Sequence, residues 1–263
     1  MNVQEYLKRI AYRGAARPDL QTLAALQRAH MQTVPFENLS IHTKEPITLT
    51  EEWLYSKIVE RNRGGFCYEL NGLFAWLLRQ IGFDVSMLSA GVAKNEGGFG
   101  PEFDHMTLRV HLEEDYLVDV GFGDSFQTPL QIHMRGEQRQ GGMAYQIEAE
   151  GEAFVLYEQS NPDEHPSMQA QYRFMLRPCS MQEYAEMCQY HQTSPQSSFT
   201  KKRVCSMATS NGRRTLSDLR FITTENGTKS ETMLNSEKEF QEVLENHFNI
   251  HLQVVRKSDM NAS

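Results

Sequence analysis

The sequence predicts an α+β fold, and three successive changes of pattern along the chain predict it. Up to about residue 85 the apolar residues recur at helical spacing, and from there to about residue 177 short runs alternate apolar with polar residues. Beyond that, one helical stretch precedes two strand–turn–strand units and a last helix. No repeat, low-complexity segment or linker separates these regions, so 1–85, 86–185 and 186–263 are expected to share one body.

Each element has its own signal. Val3, Tyr6, Leu7 and Ile10 mark a first amphipathic helix, and Leu20, Leu23 and Leu26 a second. A third is expected to start near Thr48, with Glu51 completing a capping box, and to turn Trp53, Leu54 and Ile58 inward. After Cys67, the residues Leu70, Leu73, Phe74, Leu77, Leu78 and Ile81 form one helical face. Strands are read in DVSMLSAGV, HMTLRVHL, YLVDVGF, AYQIEAEG and FVLYEQ, and a helix in SMQEYAEMCQYHQ. Asn211-Gly212 and Asn226-Gly227 are each placed at a hairpin turn. Ser236 and Glu239 then cap a last helix carrying Phe240, Val243 and Leu244.

Composition narrows the function classes. The chain of 263 residues is 40% hydrophobic and 23% charged, as an ordinary globular protein is. A net charge of −8 without a long basic run argues against nucleic acid as a partner. The opening MNVQEYLKRIAYRG lacks the apolar core of a signal peptide, and no stretch approaches a membrane span. Cys67, Cys179, Cys188 and Cys205 show no CxxC spacing, which fits a reducing compartment, the cytoplasm.

One cysteine has a special setting. In RGGFCYELNGLF, Gly64-Gly65 turn the chain and Cys67 falls in the first turn of a helix. The helix dipole and free N–H groups there favour a thiolate, and the glycines leave room for an approaching carbonyl. Cys179, Cys188 and Cys205 read as small buried hydrophobes.

A nucleophilic cysteine needs a base, and the base an orienting group. His105 shares a strand face with Thr107 and Arg109, opposite Met106, Leu108 and Val110. Asp119, flanked by Val118 and Val120, is a carboxylate in an apolar run that calls for a partner. A hairpin centred on Glu113 makes His105 and Asp119 diagonal neighbours, whereas a centre one residue later separates them. His111, beside the acidic turn, reads as facing solvent.

These residues carry a resemblance. VPFENLSI, RGGFCYELNGLFAWLL, DHMTLRV, YLVDVGFG and SPQSSFTKKRVCSMATSNGRRTL are similar, in order and approximate spacing, to the arylamine N-acetyltransferase family, of the bacterial type. The resemblance implies a helical bundle, a central β-barrel and a C-terminal α/β lid around a cysteine-protease-like core. It implies a Cys67, His105 and Asp119 triad and acetyl transfer from acetyl-CoA to arylamines, arylhydrazines or N-hydroxyarylamines, without a metal. Phe36, Val92, Phe122 and Phe199 match the positions expected to line the acceptor pocket, although each also suits ordinary core packing. Gln27 stands where a histidine is frequent in the family.

Other readings of the same residues remain open at this stage. The Cys…His…Asp order also suits a papain-like or transglutaminase-like thiol enzyme acting on amides, and the scaffold could bind an aromatic ligand without turnover. Arg63 and Glu37 read as a scaffold ion pair beside the cysteine loop. KNEGGFGPEF, 94–103, and TKKR, 200–203, are weak candidates for contact with coenzyme A.

Overall fold

In the computed structural model, which describes residues 1–160 and 167–252, short polar residues start the N-terminal helices. Asn2 accepts from Gln4 and Glu5 N–H ahead of the helix Val3–Arg9, and Asp19 accepts from Thr22 N–H ahead of Leu20–Met31. Leu20 leads that helix and is exposed, so Leu23 and Leu26 carry its buried face. The next cap is Thr50 rather than Thr48, because Thr50 is the extended residue whose side chain reaches the Trp53 N–H. That helix, Glu51–Tyr55, continues into a π-helical turn, Ser56–Glu60, which buries Lys57, Ile58 and Val59 in succession.

The helix Cys67–Ile81 is the axis of the N-terminal region. Its residues from Cys67 to Leu78 are all buried, so the single apolar face read from the sequence understates its enclosure. It packs on the strands Asp84–Val92 and His105–His111, where Met106, Leu108 and Val110 join its core.

Those two strands belong to an eight-stranded antiparallel sheet that curls into a nearly closed barrel. Spatial order runs Leu130–Gln131, Asp115–Val118, His105–His111, Asp84–Val92, Ser167–Cys179, Ala153–Ser160, Met143–Glu150 and Gln138–Gln140. The barrel interior gathers Leu88, Ala90, Leu117, Tyr145, Leu156, Tyr172 and Phe174. Its seam is closed by side-chain amides instead of a backbone ladder. Gln138 accepts from Gln131 N–H and donates to the Gln131 carbonyl, while Gln140 accepts from Gln127 and Thr128 N–H and donates to the Thr128 carbonyl.

A second sheet orders Phe36–Glu37, Val204–Thr209, Gly212–Ser217, Arg220–Glu225 and Thr228–Met233. The second hairpin turns at Asn226-Gly227, both at positive φ. The first turns one residue earlier than expected, because Thr209 pairs with Gly212 and leaves Ser210-Asn211 as its loop. The helix Glu237–Phe248 covers this sheet with Phe240, Leu244 and Phe248, while Val243 is half-buried at its margin. Ser236 accepts from Glu239 N–H as a capping box requires, but Glu239 turns back to Asn235 N–H. Residues 253–263 of the third region lie outside the described residues.

One buried group gives the fold a pH dependence. His30 lies between Tyr6 and Phe74, and neither ring nitrogen has a hydrogen-bond partner among the described residues. Burial, helped by the Arg9 charge, pushes its imidazole down from 6.5 to about 3. The unfolded chain takes this proton below pH 6.5 and the fold does not, so stability is lost as pH falls from 6.5 towards 3. The slope is about 1.4 kcal/mol per pH unit. His30→Leu is expected to flatten the difference between urea-unfolding free energies measured near about pH 7 and about pH 5. An unchanged difference would mean that the imidazole charges without unfolding.

Candidate active site

The loop that delivers Cys67 rests on a buried group of charges. Lys57 Nζ donates to Glu69 Oε1 at 2.7 Å and lies 3.9 Å from Glu37, which Arg63 meets at 2.8 Å. All four side chains are almost wholly withdrawn from water. Burial would raise Glu37, yet Lys57, Arg63 and the Leu39 N–H hold it below the usual carboxylate range. For Glu69, burial and the Glu37 charge win over Lys57, and its carboxyl is raised. Glu69 also accepts from the Phe66 N–H, which fixes the start of the helix. The Arg63–Glu37 pairing expected from sequence is present.

Packing dictates the two glycines of this loop. A Cβ on Gly64 would lie 1.9 Å from the Pro35 carbonyl oxygen, and one on Gly65 would lie 2.7 Å from Glu69. They serve close contact with the scaffold, whereas the sequence suggested room for a ligand. Cys67 is 3% exposed. Burial pushes its thiol well above the usual range and Asp119 adds to this, against a hydrogen bond from the Met106 backbone. The expected lowering by the helix start is therefore outweighed by desolvation.

The hairpin between the strands His105–His111 and Asp115–Val118 is centred on Glu113, since His111 pairs with Asp115 and Leu108 with Val118. His105 and Asp119 are thus diagonal neighbours, and Nε2 lies 2.6 Å from Asp119 Oδ2. An ionised carboxylate only accepts, so Nε2–H donates and Nδ1 remains the basic nitrogen. Phe122 and Tyr172 flank the imidazole, each with ring centroids 5.1 Å from it.

Asn71, one turn beyond Cys67, joins these pieces. Backbone pairing of the hairpin stops at Leu108 and Val118. At the next paired position Asn71 donates to the Met106 carbonyl at 2.6 Å and accepts from Val120 N–H at 2.9 Å. Its amide also donates to Asp119 Oδ1, which takes the Gly121 N–H as well. Gly121 must lack a side chain, because a Cβ there would lie 2.8 Å from Cys67 Cα. Behind Asp119, buried Gln27 donates to the Asp119 and Phe126 carbonyls.

The four expected pocket residues separate into groups. Phe36 and Phe199 meet with ring centroids 6.1 Å apart, and Phe199 also packs on Phe66, the residue before Cys67. Phe122 stands against His105, and its neighbour Gly123 lies beside Phe36. Val92 lines a groove of about 510 Å³ with Lys94, Gly100, Pro101, Asp104, Met187 and Tyr190. His111 pairs with Asp115 at the exposed turn, as its position suggested. Sequence reasoning missed Asn71, Tyr172, Lys57 and Glu69. The only local signal was the polar Asn71 and Glu69 ahead of the apolar run 73–78 of that helix. Among the described residues, no group of three or more His, Cys, Asp or Glu side chains converges on a metal position.

Removing one partner of the buried charges leaves another uncompensated. Lys57→Met is expected to cost about 3–5 kcal/mol in urea unfolding. Lys8→Met, which breaks only the exposed pair with Glu5, is expected to cost less than about 1 kcal/mol. Equal losses in the two variants would remove the network from its place in the scaffold.

Comparison with known proteins agrees with this geometry. The N-acetyltransferase family model matches residues 19–257. The pineal gland isozyme NAT-10 of arylamine N-acetyltransferase from Gallus gallus is 34% identical over 276 residues, covering 96% of this chain and 95% of the relative. The arylamine N-acetyltransferase structure from M. tuberculosis superposes with a TM-score of 0.88 at 29% identity, covering 95% of this chain and 94% of that one. The Mycobacterium marinum arylamine N-acetyltransferase in complex with CoA gives a TM-score of 0.86 at 28% identity, covering 95% and 93%. With its bundle, barrel and lid and with these relatives along nearly its whole length, the chain belongs to the arylamine N-acetyltransferase family of acyltransferases.

Proposed function

We propose that this protein moves an acetyl group from acetyl-CoA to the nitrogen of an arylamine, arylhydrazine or N-hydroxyarylamine, through an acetyl-Cys67 intermediate in a ping-pong cycle. The observation that carries this reading is the His105–Asp119 contact, held by the Asn71 amide one helical turn from Cys67. The complex of a relative with CoA supports coenzyme A as the carrier of the donor.

The electrostatics suit such a cycle. Because burial disfavours an isolated thiolate, the proton leaves Cys67 only as His105 takes it, giving a thiolate–imidazolium pair that Asp119 stabilises. The sulfur attacks the thioester carbonyl, a new C–S bond forms, and CoA leaves with the proton from the imidazolium. The N–H groups of Cys67 and Tyr68 open the helix without intrahelical acceptors, which suits them to hold the oxyanion. An aromatic amine then attacks acetyl-Cys67, His105 takes the amine proton, and the thiol is regenerated. Phe36, Phe122 and Phe199 form the acceptor wall and keep water from the acyl-enzyme, and Val92 lines the separate groove beside Asp104. The cytoplasm, with its acetyl-CoA and reducing conditions, is the matching compartment.

Mixing the enzyme with acetyl-CoA alone is expected to add one acetyl group per chain and release one CoA in a burst, seen by intact mass. Adding an aromatic amine should discharge the adduct, and Cys67→Ala should form none. Amide formed steadily with no acetylated enzyme at any time would exclude this cycle.

Asn71→Ala removes the amide that holds Asp119 and the two strand ends, while Asp119→Asn keeps the shape and withdraws the charge. Each is expected to slow acetylation by about 10²-fold or more. Asp119→Asn should do so with the smaller loss of thermal stability. Folded Asp119→Asn enzyme with near-normal burst kinetics would take that carboxylate out of the reaction.

A further inference from the structure

A second buried imidazole stands beside the site. His191, in the last turn of the helix Ala185–Thr193, is 5% exposed. Its ring packs edge-on against Phe199 at 5.1 Å and lies near Phe66 and Tyr68, the residues on either side of Cys67. Its Nδ1 is 3.1 Å from Ser197 Oγ, and the same hydroxyl oxygen accepts the Phe199 N–H. Its Nε2 faces Asp104 Oδ1 at 3.5 Å, too long for a well-formed hydrogen bond, and has no other partner among the described residues. Asp104 directly precedes His105, and the Tyr68 hydroxyl donates to the carbonyls of Phe103 and Asp104.

A leucine would fill this aromatic box without the cost of burying two ring nitrogens. What the imidazole adds is direction, because each nitrogen faces a different segment of the site. We propose that His191 is a positioning residue for the acceptor step: through Ser197 it fixes Phe199, the wall of the acceptor cavity. This rests on the function proposed above, since it assigns Phe199 to the amine and not to acetyl-CoA. Asn38 and His42, both bonded to the Phe199 carbonyl, hold the backbone of that residue. The His191–Ser197 link controls the N–H side of the same residue, and hence the angle at which its ring meets Phe36 and Phe66. His191 therefore bears on which amines fit, and the thiol chemistry proceeds without it.

Two measurements separate the steps: the acetyl-CoA burst without amine, and KM for a panel of aromatic amines. His191→Leu and Ser197→Ala each break the link, from opposite ends. Each is expected to raise amine KM by about fivefold, as loss of one hydrogen bond does, and to leave the burst unchanged. The double variant should be no worse than either single one. The amide of His191→Asn falls near the position of Nδ1, so this variant should return KM to within about twofold of the unmodified enzyme, a smaller change than one lost hydrogen bond gives. His191→Gln, whose amide falls near Nε2, should not. Equal KM values in the Asn and Leu variants, an unaffected Ser197→Ala, or a burst that falls as KM rises would each overturn the assignment. Absence of a burst in the unmodified enzyme would instead remove the proposed function, and this inference with it.

Discussion

A side-chain amide from a helix stands where a backbone rung of a β-hairpin belongs, and the arrangement of the site follows from that substitution. Asn71 donates to Met106 and accepts from Val120, the two residues that would otherwise pair across the hairpin. Helix and barrel are thereby joined by directional bonds beside His105 and Asp119, in addition to the apolar packing between them. Met106 is the neighbour of His105 and Val120 the neighbour of Asp119, so the same bonds set imidazole and carboxylate. Cys67 lies one turn back along the helix, against Gly121. Three side chains from distant parts of the sequence thus share one reference point.

The charges under the cysteine loop set the other coordinate. Glu37, Lys57, Arg63 and Glu69 sum to zero when all are ionised, which makes their burial tolerable although not by itself stabilising. What they supply is uniqueness, since every oxygen and nitrogen has a required partner and Gly64 and Gly65 admit only one approach of the loop. The result is a thiol in a dry setting, where burial disfavours an isolated thiolate.

Periodic features were legible in the sequence. The alternation in HMTLRVHL placed Met106, Leu108 and Val110 in the core, and a centre at Glu113 was one of two stated registers. Features that depend on a single residue shift were read less well. Thr50 caps where Thr48 was expected, and the first Asn-Gly hairpin turns at Ser210-Asn211, because neighbouring residues offer the same cap or turn chemistry and tertiary packing chooses between them. Field effects were misjudged at Cys67: the helix start is visible in sequence, but the depth of burial that outweighs it is not. Asn71 and His191 gave almost no signal, since their partners lie far along the chain.

The strand Phe36–Glu37 sits in the C-terminal sheet, paired with Ser206 and Cys205, and Asn38 reaches Phe199 across 161 positions of sequence. Closing so long a loop is entropically slow, and it cannot begin until the distal segment exists. During synthesis the Cys67 helix, buried from Cys67 to Leu78 in the finished fold, emerges well before the sheet that completes its surroundings. A nascent or truncated chain therefore carries Cys67 and His105 before Phe199 is in place against Phe36 and Phe66. Under the proposed function, selectivity for the amine is the last property the growing polypeptide acquires.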